Sequence, residues 1–75
     1  MHIGDIVIHF DEALDDDGIS GLERTIGEAP GVLSACVNEK TRHLMVVDFD
    51  PTVVQPSGLV QTFRVRGLHA VMVGL

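Results

Sequence analysis

Apolar and polar residues alternate along Asp5 to Phe10. Ile6, Ile8 and Phe10 fall on one side and Val7 and His9 on the other, the two-residue period of a β-strand. The period then lengthens. Ile19, Leu22 and Ile26 recur at helical spacing and form one apolar stripe. Asp16 or Asp17 is expected to cap this helix, with Ser20-x-x-Glu23 as a capping box one turn later. Three consecutive aspartates suit the positive end of the helix dipole. Pro30-Gly31 is expected to end the helix, since proline lacks an amide hydrogen and glycine accepts a left-handed turn.

A second strand is predicted over Val32 to Val37, with Ala35 and Val37 toward the core. Asn38-Glu39-Lys40-Thr41 makes a polar turn short enough for a hairpin. The third strand runs from His43 to Phe49, with Met45, Val47 and Phe49 inward and Leu44, Val46 and Asp48 outward. Asp50-Pro51 stops it, because proline cannot donate to the ladder. A second helix starts near Pro56, a good first-turn residue, and turns Leu59 and Phe63 inward. It ends at Gly67, with Arg64 and Arg66 complementing the negative end of the dipole. His69 to Val73 forms the last strand, with Ala70 and Met72 inward.

The order strand, helix, strand, strand, helix, strand predicts an α+β, ferredoxin-like βαββαβ fold. Its four-stranded antiparallel sheet carries two helices on one face, as a single domain over residues 1–75 with one modest core.

Composition narrows the function. Eleven acidic residues against five basic ones oppose wrapping a phosphate backbone, so no nucleic-acid partner is expected. An RNA-recognition module would need aromatics on the open sheet face, yet Phe10, Phe49 and Phe63 all have inward parity. No apolar run is long enough to span a membrane, and Met1-His2-Ile3-Gly4-Asp5 lacks the basic and apolar regions of a signal peptide. The expected location is cytoplasmic, where the lone Cys36 is unremarkable as a small packing residue. No nucleophile has a base at recognisable spacing and no glycine-rich phosphate loop follows a strand, so the chain is not expected to be an enzyme.

Four stretches carry a family resemblance: Leu22-Glu23, Pro30-Gly31-Val32, Asp48-Phe49-Asp50-Pro51 and Gly67-Leu68-His69-Ala70. With their spacings the chain resembles the heavy-metal-associated domains of copper chaperones, mercury-binding proteins and metal-pumping ATPases. The resemblance implies a soft-metal site at a Cys-x-x-Cys motif before the first helix. Counting back from Pro30-Gly31-Val32 places the two cysteine positions on Asp15 and Gly18, so the thiolate pair is missing. An amino-acid-sensing domain of the same strand order fits Asp15 to Gly18 loosely but lacks the other stretches.

Two readings of function stand side by side. In the first, the domain has a metal-related accessory role. Any ion bound is a divalent one such as zinc, held by Asp15, Asp16 and Asp17 with His9 or His69, because carboxylate and imidazole are harder donors than thiolate. The fold brings His9, His43 and His69 to the pole of the sheet beside the acidic loop. In the second, the domain docks a protein partner or a second copy of itself, without metal. Val7, Leu44, Val46, Val71 and Val73, with Cys36, leave the open sheet face largely aliphatic where a wet face carries charge.

Overall fold

The computed structural model describes residues 3–38 and 40–73. Met1 and His2, read above as part of an N-terminus without a leader, and Glu39 of the hairpin turn lie outside the described residues. So do residues 74–75. The elements follow the expected order: β1 (Gly4–Phe10), α1 (Asp16–Gly27), β2 (Val32–Val37), β3 (Leu44–Phe49), α2 (Pro56–Val65) and β4 (Ala70–Val73). The strands form one antiparallel sheet in the order β2-β3-β1-β4. This is the ferredoxin-like βαββαβ fold.

One face of the sheet is dry. Ile6, Ile8 and Phe10 of β1 and Met45, Val47 and Phe49 of β3 pack with Leu22 and Ile26 of α1 and Leu59, Val60 and Phe63 of α2. The inward parity of all three phenylalanines therefore holds, and the Phe10 and Phe63 rings lie 6.1 Å apart between centroids. Burial of these side chains, each worth roughly 1.5–3 kcal/mol, holds both helices to the same face.

Local chemistry sets the element ends. Asp15, rather than Asp16 or Asp17, is the N-cap of α1: its Oδ1 accepts the Gly18 N–H at 2.7 Å. The expected capping box does not form. Ser20 lies inside the helix, and Glu23 instead accepts the Val37 N–H of β2 at 2.9 Å. The helix stops at Gly27, before Pro30, and Gly31 takes up a φ of +85°. Any side chain at position 31 would be strained there and would also meet Val53 and Val54 at 2.9 Å.

Pro56 opens α2 as expected. The helix closes in a Schellman motif, in which Leu68 N–H donates to Phe63 O and Gly67 N–H to Arg64 O. After β3, Asp50 accepts both the N–H and the hydroxyl of Thr52 at 2.9 and 2.6 Å, and these bonds hold its carboxyl below the usual carboxylate range.

One expectation of strand parity fails, and one irregularity appears, at the sheet edges. Met72 has inward parity but is 51% exposed, on a strand at the edge of the sheet. In β2 the pairing with β3 slips between Val32 and Ser34, leaving Leu33 without a partner and exposed. Ala35 and Val37 still face the core, Val37 buried and Ala35 partly so.

Candidate functional site

The open face of the sheet is built in rows, because antiparallel pairing sets residues of neighbouring strands side by side. In the central row Cys36, Val46, Val7 and Val73 follow one another across all four strands. Three gaps of about 4.8 Å make that row about 14 Å wide. The next row toward the acidic loop holds Leu44, His9 and Val71. Val46, Val71 and Val73 are 42%, 53% and 43% exposed, Cys36 is exposed, and Val7 and Leu44 are half-buried. The aliphatic character expected of this face is therefore a contiguous strip rather than scattered valines.

The row on the other side is polar. Asp5 pairs with Asp48 across β1 and β3, and Ser34 of β2 donates its hydroxyl to Asp48 Oδ2 at 2.9 Å. Two carboxylates set directly opposite repel each other. A shared hydrogen bond and then charge repulsion from Asp48 push the Asp5 carboxyl above its ordinary range. Asp48 is held below its own by the bonds from Asp5 and Ser34. The strands carry neither lysine nor arginine. All five lysines and arginines, Arg24, Lys40, Arg42, Arg64 and Arg66, lie in helices or connections, so neither residue type on the strands offsets the pair.

At the opposite pole His9 and His43 meet, while His69 takes a partner of its own. The His9 and His43 rings stack with centroids 6.0 Å apart, and His43 Nδ1 lies 3.0 Å from Phe10 O. His9 Nδ1 is 3.6 Å from Asp11 Oδ1. His69 precedes β4 instead of beginning it, and Glu12 grips it twice. One oxygen accepts the His69 backbone N–H at 2.9 Å, and the other lies 2.5 Å from Nδ1. This contact raises the His69 pKa and lowers that of Glu12.

The structure does not bring Asp15, Asp16 and Asp17 together with His9 and His69. Asp15 is committed to the Gly18 N–H, and Asp16 pairs with Arg42 at 2.7 Å. The carboxylates nearest the histidines are Asp11 and Glu12, which sequence reasoning passed over because they fall outside both the strand pattern and the aspartate run. Among the described residues no three His, Cys, Asp or Glu side chains are arranged to hold a metal ion. The donor set therefore does not fit the soft metal that the family resemblance implies. At one family cysteine position stands a carboxylate already used as a cap, and at the other a residue with no side chain.

No protein-family model matches the chain, and no curated protein matches it. Solved structures do. Oxidised MerP from Ralstonia metallidurans CH34 superposes with a TM-score of 0.85 at 15% identity, covering 97% of this chain and 100% of that one. A copper-binding domain from HMA7, a P-type ATPase, gives 0.83 at 18% identity, with 93% of each chain covered. The apo copper chaperone of Enterococcus hirae gives 0.79 at 22% identity, covering 91% of this chain and 98% of that one. The fold is that of the heavy-metal-associated domains.

Among the described residues no helix is long and apolar enough to cross a membrane.

Proposed function

We propose that this chain is a non-enzymatic, cytoplasmic accessory domain of metal handling that works by docking a protein on its open sheet face rather than by gripping an ion. The metal-related half of this reading draws on the structural neighbours, which include copper-binding and copper-chaperone proteins. The docking half rests on one observation: Val7, Val46, Val71 and Val73 line adjacent rows of an uncovered sheet face. The use of Asp15 as a helix cap, where the family resemblance calls for a thiolate, favours docking over ligation.

Cys36 provides the test, because it is exposed in the central row beside Val46. A thiol-labelling reagent should modify it rapidly in the purified protein and slowly in intact cells, where the partner covers the face. Val46→Lys should restore rapid labelling in cells. Equal labelling rates in both settings would defeat the docking reading. In parallel, zinc and copper(I) titrations followed by the histidine ring signals should show no saturable shift at micromolar metal. Tight copper(I) binding that survived His9→Ala and His69→Ala would overturn the reading and point to Cys36 as a ligand.

A further inference from the structure

We infer that the partner of the open sheet face is a polypeptide surface that sets a lysine or arginine over Asp5 and Asp48, with aliphatic side chains beside it against Val7, Val46, Val71 and Val73. This rests on the docking reading above and adds the chemistry of the occupant.

Three observations carry it. First, the face is two-part: rows of aliphatic residues adjoin a row in which two carboxylates are neighbours. Successive rows on one face are about 7 Å apart, so one cationic side chain and its apolar neighbours reach both parts together. Second, among the described residues the carboxylate pair has no compensating charge. Among the described residues its hydrogen bond from another side chain comes from the neutral Ser34 hydroxyl, and none of the four strands holds a lysine or arginine. A cation arriving from outside would relieve the repulsion between Asp5 and Asp48 while its stem covers apolar surface. Third, charge disfavours a second copy as occupant. Each chain carries a net charge of −6 and each would bring its own Asp5–Asp48 pair into the contact.

The test uses the isotope-labelled full chain and two amphipathic helical peptides of equal length, one of leucine and lysine, the other of leucine and glutamate. The lysine peptide should shift the amide signals of Asp5, Val7, Val46 and Asp48, and the glutamate peptide should not bind. The double substitution Asp5→Asn with Asp48→Asn should weaken lysine-peptide binding at least tenfold, and Val46→Lys should abolish it. Melting curves on each variant verify the fold.

If Val46→Lys removes binding but the double asparagine variant binds unchanged, the face docks partners and the cation inference is wrong. If neither change affects binding, or the shifts fall on Asp15 to Asp17 instead, the docking reading fails as well. Signals that broaden on this face with rising concentration of the chain alone would replace the basic partner with a second copy and overturn the inference.

Discussion

Gly4 and Phe49 are directly paired across β1 and β3, and the Phe49 ring fills the space where a side chain at position 4 would start. A Cβ there would lie 2.6 Å from Cζ of the ring. Gly4→Ala therefore displaces the ring and should lower the melting temperature. Phe49→Ala removes the ring altogether from a site 3% exposed. It should cost about 3–5 kcal/mol, a large share of the stability of so small a core. Denaturant melts of the two variants check both; a native-like curve for Phe49→Ala would refute its place in the core.

Asp5→Asn should stabilise the domain at neutral pH. The folded pKa of Asp5 is raised, so the folded state takes up this proton more readily than the unfolded chain does. Its contribution to stability is present at low pH and is lost as pH rises through the folded value. Asparagine stays neutral and lacks that loss. The melting-temperature gain over the natural protein should be visible at pH 7 and vanish near pH 3.

Glu12→Gln should return the His69 titration toward its ordinary 6.5. Glu12 lies below its ordinary 4.5 in the folded protein and His69 above 6.5, so the ion pair is complete between those values. It is lost as pH falls through the folded pKa of Glu12 or rises through that of His69. His69 is largely exposed, so the effect on global stability is small. The readout is the midpoint of the His69 ring signals, which Asp11→Asn should lower far less, since Asp11 is the weaker influence.

Glu23→Ala should speed hydrogen exchange at the Val37 amide and weaken the anchoring of β2 to α1. The Glu23 carboxylate accepts that N–H on an edge strand, where an unpaired donor invites pairing with another chain. The bond is worth about 1 kcal/mol. An unchanged exchange rate would show that the contact does not persist in solution.

The strands were legible because a two-residue period survives without knowledge of what pairs with what. Ile6, Ile8, Phe10, Met45, Val47 and Phe49 all face inward as the alternation requires. What stayed hidden depends on register or on distant partners. The alternation placed Asp48 outward, but its neighbour Asp5 emerges only when β1 is aligned against β3. Leu33 drops out of the ladder through a slip that no local pattern marks. Which of three aspartates caps α1 depends on where the chain turns, and Glu23 joined a strand fourteen residues on rather than its own helix terminus. Val60, 6% exposed, was missed because a helix lying on a sheet buries more than one row of positions.

The Asp15–Gly18 bond also bears on engineering a soft-metal site into this loop. Asp15→Cys gives up the cap, at about 0.5–2 kcal/mol, and supplies one sulfur without a mate. Gly18→Cys sets a Cβ 3.1 Å from the Asp15 carboxylate and 3.4 Å from Leu14 Cβ, again with a single sulfur. Asp15→Cys made first therefore loosens the helix start before any pair of thiolates exists. A two-sulfur site in this loop thus needs both substitutions and trades the aspartate cap of α1 for a ligand.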